Sequence, residues 1–411
     1  MAQMRKNGVN RELREIGGGI CAPVGFRANG IHAGFTDDEN KKDLALIVAD
    51  RRCPTACVYS AAHKSSGPAL TSKRHLKYGL ARAILVNSGV ANVFLPKGEW
   101  LAEMACRALA ARSDIDCNDT LVASTGEVGK PMFLETFEGS LRPLVQGLQP
   151  TEEGSLAAAE AIMTTDSYPK HAAFSFDLGD FPCKIGALFK GNVHTCPNTA
   201  TTLIFLTTDV NISSEMLQKA LSLCVRDTVN MLVGDGTPSP NDMVCIMANG
   251  KAGNYRISCE DTEFSKFTFA LRKTLAEICR RLAADCDKGG RVLTCKVTGA
   301  ASQQVARVAA KNIVSSYNIR RAILQGVADV ESFLYAVNSA TDTHDYTSVQ
   351  IFLEGAGLSY SLYEDNIALR IEREHLLRLL EGTEIAVKIF LQDGNYSATA
   401  FGCLDPKEIS V

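Results

Sequence analysis

Residues 186–209 read GALFKGNVHTCPNTATTLIFLTTD. Two apolar runs flank a polar loop, which predicts two strands joined by a loop. Ala200, Thr201 and Thr202 place two hydroxyl groups where the second strand begins. Threonine is a common strand residue because its β-branched side chain packs well on a sheet, so an ordinary strand start is one interpretation. The other is a threonine nucleophile whose base is its own α-amine, freed by cleavage of the preceding peptide bond.

Outside this stretch, short apolar runs alternate with amphipathic segments. Buried strands are predicted at LALIVAD (from Leu44), ACVYSAA (from Ala56) and AILVNSG (from Ala83). Apolar residues at helical spacing predict helices that begin near Glu99, Ser155, Glu215, Phe267 and Gln304. Strands mixed with long helices are typical of a layered α/β protein with mixed sheets.

Turn signals predict how some of these strands connect. Gly179 predicts a hairpin within AAFSFDLGDFPCKIGALF, and Asp393 with Gly394 predicts a second hairpin between EIAVKIFL and YSATAFG. TATTLIFLTTD, from Thr199, is interpreted as the start of a third sheet region. A length of 411 residues predicts two or three domains or lobes.

Composition excludes several classes of function. The chain has 43 Lys plus Arg against 46 Asp plus Glu and no long basic tract, which argues against a nucleic-acid partner. It contains no uninterrupted run of 18 apolar residues, so no membrane partner is expected. The 14 cysteines are scattered singly along the chain. This pattern favours reduced thiols and therefore a cytoplasmic protein. The closest pair, Cys53 and Cys57, lacks further ligands at zinc spacing and is interpreted as strand residues.

Seven motifs then occur in an order that resembles one family, the ornithine acetyltransferases (glutamate N-acetyltransferases) of arginine biosynthesis. They span about residues 17–254 and read GGICAPVGFRANGIHAG, DLALIVAD, ILVNSGVAN, LVASTGEVG, AIMTTDSYPK, KGNVHTCPNTATTLIFLTTD and GDGTPSPNDMVCIMANGKAGN. The resemblance implies an α/β fold of two interlocked lobes, with mixed sheets sandwiched by helices and an N-terminal threonine nucleophile. It also implies self-cleavage between Ala200 and Thr201, giving an α chain of residues 1–200 and a β chain of residues 201–411.

The same resemblance assigns roles to individual residues. Thr125 and Gly126 match the family's oxyanion-hole pair. Thr164 or Thr165 and Lys190 match its substrate-contacting positions, and Asp287 stands where the family has a substrate-binding glutamate.

The function implied is an N-acyltransferase that moves an acetyl group from N-acetylornithine to glutamate through an acyl-threonine intermediate. Its partners are then small molecules, an N-acyl amino acid and an amino-acid acceptor. No metal and no organic cofactor are implied. A homo-oligomer of cleaved αβ units is expected.

Departures from the family pattern leave two alternatives open. Val193 and His194 replace a Gly-Met pair, Asp287 is one methylene shorter than the expected glutamate, and Arg291 stands where lysine is usual. One alternative is a relative that acts on another N-acyl amino acid, as an acyltransferase or as an amidase. The other is an uncleaved, inactive relative that serves as a binding or scaffold subunit.

Overall fold

The computed structural model of the chain describes residues 13–191, 201–234, 237–286, 290–340 and 348–406. The strands of this part are β1 (Arg14–Ile16), β2 (Phe26–Ile31), β3 (Leu44–Tyr59), β4 (Leu80–Asn87), β5 (Thr120–Ser124), β6 (Lys170–Leu178), β7 (Phe181–Lys190), β8 (Leu203–Thr208), β9 (Met243–Ala248), β10 (Arg291–Ala300), β11 (Gln350–Gly355), β12 (Leu358–Glu364), β13 (Ile367–Ala368), β14 (Glu384–Phe390) and β15 (Tyr396–Leu404).

The helices of the same part are α1 (Gly67–His75), α2 (Gly98–Ala110), α3 (Leu134–Gln146), α4 (Glu152–Ala161), α5 (Ser214–Asp227), α6 (Thr262–Ala284), α7 (Gln303–Ser315), α8 (Tyr317–Gln325), α9 (Val330–Asn338) and α10 (Arg373–Leu379). Side-chain caps fix where α5 and α6 begin. Ser213 accepts a hydrogen bond from Met216 N–H at the start of α5, and Asp261 accepts one from Phe264 N–H at the start of α6. None of the helices in the described residues is long and apolar enough to cross a membrane.

Over the described ranges the strands form two mixed sheets. The larger has nine strands in the order β1-β6-β7-β8-β9-β3-β4-β5, with β2 paired to β3, and the smaller has six in the order β13-β12-β11-β14-β10-β15. Strand β3 carries the larger sheet around a bend. Its first residues pair with β2 and β4, its register shifts between Val48 and Cys53, and residues 55–59 pair with β9.

The larger sheet is folded into a sandwich with a core between its two halves. Residues alternate along each strand, so that Leu203 and Phe205 of β8 face the inner core while Ile204 and Leu206 face an outer core. The outer core of the β6–β9 half packs against α5 and α6, and that of the β3–β5 half packs against α2 and α3. The layers are therefore helix, sheet, sheet, helix, with α4 contributing to the inner core, and the α/β fold with sheets sandwiched by helices is confirmed.

The smaller sheet packs helices on both of its faces. Leu293, Cys295 and Val297 of β10 face a core with α7, α8, α9 and α10, and Val292 faces a small cluster with Cys279 of α6. Helix α6 thus contacts both sheets. Residue 201 does not divide the sheets, because β8 and β9 pair with β7 and β3 inside the larger one.

The local sequence patterns predicted most elements and some of the connections. The hairpin at Gly179 is confirmed as β6 and β7, and the buried strands and helices lie where they were predicted. The predicted C-terminal hairpin is wrong: β10 lies between β14 and β15 and pairs with both. The prediction that a third sheet region begins at Thr199 is also wrong, since β8 pairs with β7 and β9 inside the larger sheet. The runs from Leu44 and Ala56 are one continuous strand, β3.

Candidate active site

Three of the predicted residues lie at strand ends and face the space between the two halves of the larger sheet. Lys190 is the last residue of β7, Thr125 directly follows β5, and Thr201 lies two residues before the start of β8. Each lies two residues from a member of the inner core: Leu188, Ala123 and Leu203, respectively. Because side chains alternate along an extended chain, the three face that same inner space. All three are buried, with 1% of Thr125, 1% of Lys190 and 8% of Thr201 exposed.

Lys190 joins two of the predicted hydroxyl groups. Its Nζ donates to Thr125 Oγ1 at 3.2 Å and to Thr164 Oγ1, and it lies 3.6 Å from Asp166 Oδ2. Burial lowers the pKa of Lys190, although the nearby Asp166 carboxylate acts to raise it. Any further negative charge that a substrate or a reaction intermediate brings near Lys190 therefore stabilises its charged form.

A buried chain of alternating charges extends from Lys190 to the end of α6. Asp166 Oδ1 contacts Lys170 Nζ at 2.8 Å, and Lys170 Nζ contacts Asp285 Oδ2 at 2.5 Å. Asp166 also accepts a hydrogen bond from Gly191 N–H at 2.8 Å, which fixes the chain just after β7. Burial raises the pKa of Asp166, but Lys190 and Lys170 outweigh it and lower the pKa to about 2. Asp166 is thus a carboxylate at neutral pH.

The Thr125–Gly126 segment has the geometry of a donor pair. Gly126 adopts φ +129°, and a Cβ there would lie 2.4 Å from the carbonyl carbon of Gly89, so only glycine fits. The N–H of Thr125 is used, since it donates to Asn87 O at 3.0 Å. Gly126 N–H has no acceptor among the described residues. The Thr125 hydroxyl accepts from Lys190 and keeps its own hydrogen to donate.

The hydroxyl of Thr201 has a hydroxyl partner. Its Oγ1 lies 2.9 Å from Ser239 Oγ. The carboxylate of Asp242 holds both segments, because it accepts from Thr202 N–H at 2.8 Å and from Ser239 N–H at 2.9 Å. The start of β8 and the loop before β9 are therefore fixed to each other.

A further contact brings this loop to the Gly126 segment. Asn241 Nδ2 donates to Ala91 O at 2.7 Å, and Ala91 N–H donates to Glu127 O at 3.0 Å. These two hydrogen bonds connect the Thr201 segment, on one half of the sandwich, to the Thr125–Gly126 segment on the other half. The arrangement provides a hydroxyl, two donor groups and a buried cation around one space.

The structure unites some of the predicted residues and leaves others apart. Lys190 contacts both Thr125 and Thr164, whereas Thr165 is exposed. Ala200 and Asp287 lie outside the described residues, as do Val193 and His194. Arg291 Nε donates to the carbonyls of Leu380 and Gly382 at 2.5 and 3.1 Å, beside the smaller sheet.

Sequence reasoning missed four residues that support the site. Asp166, Ser239 and Asp242 lie inside quoted motifs but received no role, and Asp285 lies in none. Asp166 and Lys170 are four residues apart, a spacing that could have suggested an ion pair. No local signal places Asp285 beside Lys170, because 115 residues separate them.

Comparison with known proteins gives the chain its family. Residues 27–405 match the model of the ArgJ family. The chain belongs to the ArgJ family. It is 31% identical over 394 residues to the arginine biosynthesis bifunctional protein ArgJ of Symbiobacterium thermophilum, covering 94% of this chain and 96% of the relative. It is 32% identical to the ArgJ protein of Caldanaerobacter subterraneus, again covering 94% and 96%.

Two solved structures are also similar to this chain. The crystal structure of ArgJ from Bacillus halodurans is 29% identical, with a TM-score of 0.42, and the match covers 46% of this chain and 98% of that one. Ornithine acetyltransferase from Mycobacterium tuberculosis, solved with ornithine, is 28% identical with a TM-score of 0.38, over 40% and 88%. Membership of the ArgJ family, shown by the family match over most of the chain, confirms the resemblance to ornithine acetyltransferases and makes the chain an acyltransferase-type enzyme.

Proposed function

We propose that this ArgJ-family enzyme transfers an acyl group between amino acids through an ester on Thr201, after cutting itself between Ala200 and Thr201. The observation that carries the proposal is the grouping of Thr125 with Lys190, opposite the Thr201 segment, inside a buried sandwich. The α chain is then residues 1–200 and the β chain residues 201–411.

Self-cleavage needs only the threonine side chain and water. Thr201 Oγ attacks the carbonyl carbon of Ala200, the C–N bond breaks, and the hydroxyl proton passes to the leaving nitrogen. The amide becomes an ester, which water hydrolyses to a free Ala200 carboxylate and a Thr201 with a free α-amine. That amine has an ordinary pKa of about 7.7 to 8.0, so near neutral pH it can accept the hydroxyl proton in later turnovers.

Acyl transfer repeats the same attack on a bound N-acyl amino acid. Thr201 Oγ attacks the acyl carbonyl, and negative charge develops on the carbonyl oxygen. The Thr125 hydroxyl and Gly126 N–H donate to that oxygen, and Lys190 strengthens the donation because its charge polarises the Thr125 hydroxyl. The amine leaves with the proton, and a second amine then attacks the ester and takes the acyl group.

N-acetylornithine as donor and glutamate as acceptor are the substrates we propose, because the curated relatives are arginine biosynthesis proteins. Asp287 is assigned to substrate binding only by its place in the motif. Because aspartate is shorter than glutamate, other N-acyl amino acids should also be tested as donors, and water should be tested as an acceptor. We further propose a cytoplasmic homo-oligomer of αβ units that needs neither metal nor organic cofactor.

The test is acylation of the cut enzyme. After incubation with N-acetylornithine alone, the fragment that begins at Thr201 should gain one acetyl group, which peptide mapping should place on Thr201. Added glutamate should remove the group as N-acetylglutamate. A panel of other N-acyl amino acids, each tested with glutamate and with water, identifies the donor and the acceptor. If no donor acylates Thr201 in a cut enzyme, the proposed transfer is wrong.

A further inference from the structure

Ser239 lies in a loop whose shape is fixed from several sides. Ser239 C=O accepts from Asp242 N–H at 3.1 Å, which closes a β-turn with Pro240 at the position that proline favours. Pro238 precedes the serine, so prolines restrict the backbone on both sides of it. The loop therefore holds Ser239 in a defined backbone conformation.

The side chain of Ser239 is fixed as well. Its Oγ accepts a hydrogen bond from Asn241 N–H at 3.3 Å, a local bond that selects one rotamer of the serine. The hydroxyl also shares a hydrogen bond with Thr201 Oγ1 at 2.9 Å. The partner of the nucleophile is thus itself fixed, half-buried and aimed at one atom.

One carboxylate sets the relative position of the two hydroxyls. Asp242 Oδ1 accepts from Thr202 N–H and Asp242 Oδ2 accepts from Ser239 N–H, so each oxygen holds one of the two chains. Lys190 and Thr125 lie on the other side of the site and contact each other, and no hydrogen bond from either to Thr201 is found within the described residues. Among the described residues, Ser239 is the hydrogen-bond partner of the Thr201 hydroxyl.

We propose that Ser239 is a positioning residue that holds the Thr201 hydroxyl in the orientation from which it attacks, both in self-cleavage and in acyl transfer. The inference rests on the proposed function, since it presupposes Thr201 as nucleophile. Losing a hydrogen bond and allowing the nucleophile to rotate should slow both steps by about 10- to 100-fold.

The test compares Ser239→Ala with Ser239→Thr, which keeps a hydroxyl, and with Ser359→Ala, the same deletion at an exposed serine of the smaller sheet. Self-cleavage is followed by intact mass from the moment of synthesis, and single-turnover acylation is followed on protein that has been cut to completion. Ser239→Ala should be slow in both, with KM and melting temperature close to wild type. Ser239→Thr should recover most of the rate, and Ser359→Ala should match wild type.

Two results would overturn the inference. One is cleavage and acylation of Ser239→Ala at wild-type rates. The other is equal slowing in Ser239→Ala and Ser239→Thr together with an equal fall in melting temperature, which would mean that the loop needs the serine for packing. Failure of the proposed function gives a different result, because a wild-type chain that is cut and never acylated refutes acyl transfer. In that case the rates at which the Ser239 variants cut themselves still test whether Ser239 positions the Thr201 hydroxyl.

Discussion

Replacing Asp166 by asparagine removes the central carboxylate of the buried charge chain. Lys170 keeps Asp285 as a partner, but Lys190 loses the one carboxylate within ion-pair distance among the described residues. Breaking a buried ion pair by removing one partner costs about 3–5 kcal/mol, because a charge is left buried without compensation. Asp166→Asn should therefore lower the free energy of unfolding at pH 7 by an amount in that range.

The pH dependence of this loss follows from the pKa of Asp166. That pKa is lowered from an ordinary 3.8 to about 2 in the folded protein, a difference equivalent to about 2–3 kcal/mol. A lowered pKa means that the stabilisation is complete above the unfolded value and is lost as the pH falls towards 2. At pH 3 the gap between wild type and Asp166→Asn should be about 1 kcal/mol smaller than at pH 7.

The assay is urea unfolding followed by far-UV circular dichroism, at pH 7 and pH 3. Both proteins should carry Thr201→Ala, so that the chain stays in one piece and unfolding is comparable. Asp180→Asn, at an exposed turn position, is the matched control and should change little at either pH. An Asp166→Asn chain as stable as its parent at pH 7, or a gap that is the same at both pH values, would show that the Asp166 carboxylate does not stabilise the buried lysines.

Three further predictions concern the reaction groups. Thr125→Ala should keep its fold and lose about 100- to 1000-fold in turnover through loss of one oxyanion donor, whereas exposed Thr383→Ala should not, as steady-state assays will show. Gly126→Ala should lower the free energy of unfolding by about 1–3 kcal/mol or more, measured by urea denaturation, because its Cβ meets the carbonyl carbon of Gly89. Thr201→Ser should still be cut and acylated, at lower rates by intact mass; complete loss of both would argue against a hydroxyl nucleophile.

Local sequence signals predicted elements well and long-range pairing poorly. The hairpin of β6 and β7 was predictable because a single turn at Gly179 determines its register. The C-terminal pair of strands carried an equally strong turn signal, yet β10 comes from about 90 residues earlier in the chain and separates them. Nothing in the sequence of either strand shows that a third strand lies between them.

The site divides in the same way. Alternation along β7 and along the residues that lead into β8 turns Lys190 and Thr201 to one side, so these motif residues lie on the same face where the two strands pair. Asp166 and Ser239 were quoted within motifs, but carboxylates and serines in loops look like ordinary turn residues until their partners are known. The ion pair of Asp285 with Lys170 could not be predicted, because it depends on the tertiary packing of α6.

The most direct test of the N-terminal threonine mechanism is the intact mass of the purified protein, measured without any substrate. We predict two fragments, of 200 and 211 residues, the second beginning with a free amine on Thr201. Thr201→Ala should remain a single chain under the same conditions, because no hydroxyl is left to start the shift. A wild-type chain that stays intact after prolonged incubation would contradict the N-terminal threonine mechanism and favour an uncleaved binding or scaffold subunit.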